Sequence, residues 1–291
     1  MSECPNYYWE RGLIGGSQKT QYELLRRILG TKSRITVLSA LASTLSGRLN
    51  LPNFMLNIYG STGSGKTLSV KYALSLLGSE SLGLNWNATA RGLVEYAYAM
   101  QDMPYFLDDL GIVQDSWSIV ADFINHYTGS DARRNGLRGF LITATEWDVR
   151  TIDRRFSRHR HITAGAYSKI FEIDIDGFAP DRTFFRTAGG ENINVYEISQ
   201  TLSNHHGHFL LDWMRHLGTN ANRIHNHYSS MTTGIVRTTS ISNVEKIVAS
   251  LRLVATCLHD MGFMTADDLS AADSDIERLF PLKKGCLLSV R

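Results

Sequence analysis

Eight consecutive residues, Gly60-Ser61-Thr62-Gly63-Ser64-Gly65-Lys66-Thr67, have the spacing G-x-x-x-x-G-K-T. Glycines let the backbone turn tightly, so that successive N–H groups face one anion. Lys66 supplies a positive charge for β- and γ-phosphates, and the Thr67 hydroxyl can ligate Mg²⁺. Together with Leu68, in the first turn of the helix expected next, this stretch is a candidate site for ATP and Mg²⁺.

The residues on either side of this stretch have the context that such a loop requires. Residues 54–59 form an apolar run typical of a buried strand. Residues 68–77 are apolar at helical spacing, and Gly78 is a plausible stop. A chance glycine–serine turn would not need this strand and helix, so the phosphate-binding interpretation is favoured.

A second candidate group is the acidic pair at the end of Pro104-Tyr105-Phe106-Leu107-Asp108-Asp109. An apolar parallel strand that ends in an acid can deliver that acid to the edge of the sheet where the phosphate loop lies. Asp108 is then the candidate Mg²⁺ ligand. The alternative is a strand that ends in a solvated turn.

Residues 139–146 predict another apolar strand, ending in polar groups. We expect Thr143, Thr145 or Glu146 to face the γ-phosphate. The preceding segment 128–138 is polar and basic, and Asn135-Gly136 is a strong hairpin signal.

Positive charge is concentrated in residues 133–160, which carry a net charge of +5 in a chain whose net charge is +2. The arginines are Arg133, Arg134, Arg138, Arg150, Arg154, Arg155, Arg158 and Arg160. They could contact nucleic-acid phosphates, in particular Arg133, Arg134 and Arg138 around the predicted hairpin tip, or supply an arginine finger to a neighbour's ATP. A solvated basic face with local ion pairs is the alternative.

Composition sets broad limits. The 291 residues are 43% hydrophobic, as in a globular protein with a real core. The three cysteines are far apart and form no C-x-x-C pair, which argues against a zinc knuckle or a disulfide framework. The start of the sequence does not resemble a signal peptide, and no apolar run approaches the roughly 18 residues of a membrane helix. We expect a cytoplasmic protein with no membrane partner.

The predicted order of elements is the strand before the glycine loop, a helix, a strand, a helix, the strand with the acidic pair, a helix, a hairpin, the strand with polar end groups, a last strand and a helical tail. This order is that of the AAA+ type of P-loop ATPase, an α/β fold with a central, mainly parallel sheet. We expect an N-terminal arm and helices in residues 1–50, the ATPase core in 51–194 and a helical C-terminal lid in 195–291. The guanine signature N-K-x-D of small GTPases is absent from the sequence.

Several segments together resemble a family of helicase-like P-loop ATPases from phages, plasmids, integrated islands and staphylococcal chromosome cassettes. They are WNATARGLVE (86–95), Leu107-Asp108-Asp109, 128–134, Thr143-Ala144-Thr145-Glu146, Ala164-Gly165 before Lys169, and HHGHFL (205–210). The resemblance covers roughly residues 30–260. Related replicative ATPases of the superfamily 3 and MCM types form hexameric rings that move on DNA.

The resemblance implies roles for individual residues. The family usually has Asp-Glu where this chain has Asp108-Asp109, so Asp109 is implied to orient the attacking water, with Glu146 as an assistant. The family usually has Arg where this chain has Lys169, and lysine lacks the planar fork of arginine. Arg154 and Arg155 are therefore the candidates for the arginine finger.

The expected function is that of a ring-forming, ATP-hydrolysing DNA helicase or translocase of a mobile element or phage. Three alternatives remain open at this point. They are a DNA-packaging or remodelling motor, a helicase loader or initiator that uses ATP as a switch, and a structural assembly protein that binds nucleotide without turnover.

Overall fold

The computed structural model describes residues 13–78, 83–86, 89–108, 117–129, 132, 136–157, 161–233 and 242–281. The chain divides into two compact units. One unit consists of Ser39–Val70 and Gly83–Phe184, and the other of the described parts of Met1–Leu38, Lys71–Leu82 and Phe185–Arg291. The predicted boundaries after residues 50 and 194, and the predicted role of residues 195–291 as a lid, stay predictions.

The first unit is built on a five-stranded sheet whose strand order is β2-β3-β4-β1-β5. Every pair of neighbouring strands is parallel. The strands are β1 (Phe54–Tyr59), β2 (Leu84–Asn85), β3 (Tyr105–Asp108), β4 (Phe140–Thr145) and β5 (Ile170–Asp174). β1 and β4 are almost wholly buried, as their continuous apolar sequences require in a parallel sheet covered on both faces. The predicted α/β fold with a parallel sheet is confirmed.

Helices occupy most of the remaining described chain. They are α1 (Gln18–Leu29), α2 (Arg34–Ser43), α3 (Ser46–Leu49), α4 (Lys66–Leu77), α5 (Ala90–Met100), α6 (Trp117–Thr128), α7 (Val149–Phe156), α8 (Ala164–Tyr167), α9 (Ile175–Phe178), α10 (Val195–Asn204), α11 (His208–Thr219), α12 (Ala221–Thr233), α13 (Asn243–Asp260) and α14 (Ala266–Leu279). None of these helices is both long enough and apolar enough to cross a membrane.

Strand register brings the ends of four strands to one edge of the sheet. Tyr59 at the end of β1 is level with Thr145 of β4 and with Asp174 of β5. Asp108 at the end of β3 is level with Ala144 of β4. Because the strands are parallel, the segments that leave their carboxyl ends meet at this edge.

The core of this unit holds the sheet in place through aromatic contacts. Phe54 lies edge-on to Phe140, with ring centroids 5.1 Å apart, and to Phe171, at 5.2 Å. On β3, Tyr105 stacks with Tyr127 of α6 at 6.0 Å. Such pairs each stabilise a core by about 0.5–1.5 kcal/mol beyond the area they bury.

The second unit is helical and contains buried polar contacts of its own. The amide of Gln21 in α1 is fully buried, donates to the Ser75 carbonyl at 2.9 Å and accepts from the Phe209 N–H at 3.1 Å. Helices α13 and α14 both begin with a capping box, built on Ser242 and on Thr265. These bonds satisfy groups whose burial unpaired would cost free energy.

Several predicted elements are shorter in the structure than the hydrophobic pattern indicates. Apolar residues recur at helical spacing over 33–49, but the helix is interrupted between Ser43 and Ser46. The pattern is also helical over 195–217, where the chain breaks at Gly207, whose φ of 78° is left-handed. Residues 169–176 alternate as in a strand, but the strand ends at Asp174, because the Asp174 side chain caps the short helix α9. Periodicity marks a buried face and does not reveal such local breaks.

Candidate phosphate-binding site

The glycine loop between β1 and α4 has backbone angles that favour glycine. The φ angles are 140° at Gly60, 75° at Gly63 and 93° at Gly65. A Cβ at Gly63 would meet nothing within 4 Å, so there is space for a side chain. Glycine is favoured there because the φ angle is left-handed. Helix α4 begins at Lys66, so its free N–H groups and partial positive charge lie at the end of this loop.

The Lys66 ammonium is buried inside the loop. The residue is only 7% exposed. Its Nζ donates to the carbonyl of Gly60 at 2.9 Å, to that of Ser61 at 2.7 Å and to Ser64 Oγ at 3.3 Å. Burial lowers the pKa of Lys66, and the nearby carboxylates, Glu146 foremost, act in the opposite direction. The loop therefore holds a paired cation where an anionic ligand would meet it.

Thr67 and Asp108 meet beside this cation. The Thr67 hydroxyl donates to Asp108 Oδ1 at 3.2 Å, and both residues are half-buried. A hydroxyl and a carboxylate oxygen are ligands of the kind that Mg²⁺ prefers, so this pair fits the ion. Asp109, the neighbouring candidate, lies outside the described residues.

The three polar candidates at the end of β4 are placed differently. Thr143 is fully buried and accepts a hydrogen bond from Trp86 Nε1 at 3.1 Å. Thr145 is 5% exposed at the last position of the strand. Glu146 is exposed and accepts a hydrogen bond from the Thr62 hydroxyl. Of the three, it is Glu146 whose side chain reaches the tip of the glycine loop.

A buried polar contact fixes the turn that carries Glu146 into α7. Glu172 of β5 accepts from the Val149 N–H at 2.5 Å and from Asn57 Nδ2 at 3.4 Å. Asn57 Nδ2 also donates to the Trp147 carbonyl at 3.2 Å. Burial raises the pKa of Glu172. These contacts tie one end of the turn to β1, through Asn57, and the other to the edge strand β5, through Glu172.

Sequence reasoning missed one residue at this edge, Asp176. Residues 169–176 alternate apolar and polar, a pattern that favours a solvated strand face for Asp174 and Asp176 over a metal pair. In the structure the Asp176 carboxylate accepts from the Ser61 N–H at 2.7 Å and from the Ser61 hydroxyl at 2.8 Å. The signal that could have found it is its place directly after a strand that pairs with β1.

Among the described residues, no group of three or more His, Cys, Asp or Glu side chains could hold a metal ion.

Arg154 and Arg155, the finger candidates, are exposed residues of α7. The Arg155 guanidinium lies over the Trp147 ring, 4.5 Å from its centroid. Arg154 makes long contacts of 3.4 Å with the Arg150 carbonyl and with Thr151 Oγ1. Both arginines are thus held by their own helix and its preceding turn.

The opposite face of α7 is fixed by the buried carboxylate of Asp153. It accepts from Trp117 Nε1 at 2.8 Å and from the Tyr167 hydroxyl at 2.9 Å. Burial and this bond raise the pKa of Tyr167. Because Asp153 anchors the helix, its neighbours Arg154 and Arg155 are directed outward.

The candidates for nucleic-acid contact are only partly described. Arg133 and Arg134, with Asn135 of the predicted turn, lie outside the described residues, as do Arg158 and Arg160. Arg138 is half-buried: its Nη2 donates to Gln101 Oε1 at 2.7 Å, and its Nε is 3.5 Å from Asp102 Oδ1. The Lys169 ammonium donates to the Thr128 carbonyl.

Comparison with known proteins gives a family match over part of the chain and matches to solved structures. The model for a domain of unknown function (DUF927) matches residues 16–128. No curated protein matches significantly. A solved structure described as "SCCmec type IV Cch - active helicase" is similar, with a TM-score of 0.64 and 14% sequence identity over 91% of this chain. The match covers 51% of that chain, so this protein spans about half of its length. The likeness establishes that the two chains share a fold.

Proposed function

We propose that this chain is an AAA+-like P-loop ATPase that binds ATP with Mg²⁺ at the carboxyl edge of the sheet. One observation carries the proposal: Lys66 and Thr67 begin a helix after a glycine loop, and the Thr67 hydroxyl lies 3.2 Å from Asp108. A cation, free helix N–H groups and a Mg²⁺-type ligand pair therefore converge at one point. The strand order β2-β3-β4-β1-β5 supports the same assignment.

In this proposal each residue has a distinct task. The loop from Gly60 to Leu68 binds the phosphates through its N–H groups. Lys66 keeps its bond to the Gly60 carbonyl and donates to the β- and γ-phosphates in place of its other partners. Thr67 and Asp108 would hold Mg²⁺, which would neutralise phosphate charge. Asp109 orients the attacking water. Thr145 ends β4 and Glu146 follows it. Both face the γ-phosphate in this proposal, and Glu146 assists Asp109.

The proposal extends to a DNA motor that forms a ring, with hexamers as the expected state. The shared fold with a structure described as an active helicase supports it, as does the positive charge of residues 133–160. In a ring, Arg154 or Arg155 would reach the ATP of the next subunit, and Arg133, Arg134 and Arg138 would face the DNA backbone.

The deciding experiment measures ATP turnover with and without single-stranded DNA, in Mg²⁺ and after EDTA, together with the mass in solution in the presence of a non-hydrolysable ATP analogue. We expect Mg²⁺-dependent turnover, stimulation by DNA and assembly beyond a dimer. Assembly without turnover would favour the nucleotide-binding assembly protein. Unwinding of a forked DNA duplex is assayed with the same protein, and turnover without strand separation would favour a packaging motor or a loader. Failure of the wild type to bind ATP would overturn the proposal.

A single substitution tests whether Asp109 activates the attacking water. Asp109 is one methylene shorter than the glutamate usual in such ATPases, and Asp109→Asn removes its ability to accept a proton. We expect this variant to bind ATP and to lose turnover by about 100-fold, the lower end for a general base. Normal turnover in Asp109→Asn would make Glu146→Gln the next variant to test.

A further inference from the structure

The peptide group that joins Gly60 to Ser61 is held from both of its polar sides. Its carbonyl oxygen, on Gly60, accepts from Lys66 Nζ at 2.9 Å. Its N–H, on Ser61, donates to Asp176 Oδ2 at 2.7 Å. The carboxylate and the ammonium therefore act on the same planar unit, so fixing one side fixes the other.

Asp176 is itself held in position. Its second oxygen, Oδ1, accepts from the Ser61 hydroxyl at 2.8 Å. Its own N–H donates to Asp174 Oδ1 at 3.1 Å, the bond that caps α9. The intervening Ile175 is 1% exposed, so this short helix is anchored in the core. The hydrogen bonds from Ser61 lower the pKa of Asp176, and the carboxylate is ionised at neutral pH.

The orientation of this peptide depends on the two hydrogen bonds because glycine by itself restricts the backbone very little. With a φ of 140°, Gly60 lies where other residues rarely go, and glycine itself crosses between conformations with little steric resistance. The approach is also close: a Cβ on Gly60 would lie 2.8 Å from Ile175 Cγ2 and 3.0 Å from Asp176 Oδ2. Glycine thus permits the contact, and the carboxylate selects the orientation.

We propose that Asp176 is a positioning residue for phosphate binding, which it serves by fixing the Gly60–Ser61 peptide and, through that carbonyl, the place of the Lys66 ammonium. This inference rests on the proposed ATP site. Asp176 touches no phosphate in this scheme. It keeps the loop in the shape that receives one, so that binding does not have to order the loop first.

The test compares Asp176→Ala with Asp176→Asn. Asparagine can still accept from the Ser61 N–H and can donate to the Ser61 hydroxyl, so it keeps the shape without the charge. Asp176→Ala removes both hydrogen bonds from Ser61. Because both bonds are exposed to solvent, we expect KM for Mg-ATP to rise by about tenfold, as for the loss of a single well-formed charge-assisted bond. The value of kcat should change less than KM, and Asp176→Asn should recover most of the affinity. Glu95→Ala, which removes an exposed carboxylate of α5 in the same unit, is the matched control.

A second measurement does not depend on nucleotide. Amide hydrogen exchange of the loop peptide in the nucleotide-free protein should be faster in Asp176→Ala than in the wild type or in Glu95→Ala. Unchanged exchange in folded Asp176→Ala protein would overturn the inference even if the protein hydrolyses ATP. Equal KM values for wild type and Asp176→Ala would do the same. If the wild type binds no ATP, the proposed function fails, and the exchange experiment still decides whether Asp176 orders the loop.

Discussion

The glycine loop and the arginine helix α7 belong to one unit and are both rich in polar groups, yet they are held in opposite ways. Lys66 is 7% exposed, and two carbonyls accept from its ammonium at 2.7 and 2.9 Å. Arg154 is exposed, and its contacts are 3.4 Å long. The Lys66 ammonium thus has its acceptors within the loop, whereas the Arg154 guanidinium is exposed and makes long contacts within its own helix.

Free energy explains this difference. A buried cation without partners is very unfavourable, so the fold itself must supply the acceptors around Lys66. An exposed guanidinium remains hydrated, and its contacts contribute little to stability. Folding therefore specifies the position of the Lys66 ammonium closely and leaves the side chains of Arg154 and Arg155 exposed at the surface.

Loss of the Lys66 charge should have the strongest effect of all the variants compared. Lys66→Ala removes the cation that meets the phosphates and should reduce turnover by about 10²–10³, in the range for loss of one preorganised charge-stabilising donor. ATP affinity, measured by titration of a fluorescent analogue, should also fall. Lys71→Ala, in the same helix, is the control. Unchanged turnover in Lys66→Ala protein would remove the loop from the chemistry.

The next effect tests whether α7 works only across an interface. Arg154→Ala/Arg155→Ala should keep ATP affinity and lose turnover by at least about tenfold, because a finger stabilises the transition state and not the bound substrate. Mixing this variant with Asp109→Asn protein should restore part of the turnover, since some mixed sites contain both an intact base and an intact finger. A protein that stays monomeric at every protein and nucleotide concentration would contradict this scheme, and Lys169→Ala is the alternative variant to test.

A smaller effect concerns the basic segment before β4. Arg133→Ala/Arg134→Ala should weaken DNA binding about equally for unrelated sequences and flatten the salt dependence by about one unit for each phosphate that the variant no longer neutralises. ATP binding should persist, because the loop is untouched. Arg138→Ala is a useful comparison, since Arg138 is engaged by Gln101 and Asp102. Superimposable salt titrations of wild type and double variant would move the DNA-binding role to Arg155, Arg158 and Arg160.

The smallest effect measures how firmly α7 holds its own arginine. A double-mutant cycle on Arg155→Ala and Trp147→Leu should give a coupling energy of about 0.5–1 kcal/mol in urea unfolding, as for an exposed cation–π pair. A cycle on Arg154→Ala and Trp147→Leu is the control and should give no coupling. If Arg155 also gives none, its guanidinium is free to act elsewhere, and it becomes as good a finger candidate as Arg154.

Features that depend only on neighbouring residues could be predicted from the amino-acid sequence. The glycine loop, the strand before it, the helix after it and the acid that ends β3 each follow from spacing and periodicity within about ten residues. The helix predicted over residues 68–77 is observed as α4, which begins two residues earlier at Lys66, and the strand predicted to end in an acid is observed as β3, which ends at Asp108. Local patterns are reliable here because φ/ψ preferences and burial of one face are properties of short segments.

Contacts between side chains that are distant in sequence could not be predicted in this way. Asp176 binds Ser61 across 115 residues of sequence, Glu146 accepts from Thr62 across 84, and Trp86 donates to Thr143 across 57. These pairs depend on the order and register of parallel strands joined by long crossovers. A shift of one residue in a strand turns every side chain to the other face. No local pattern contains that register, because it is set by packing of the whole sheet.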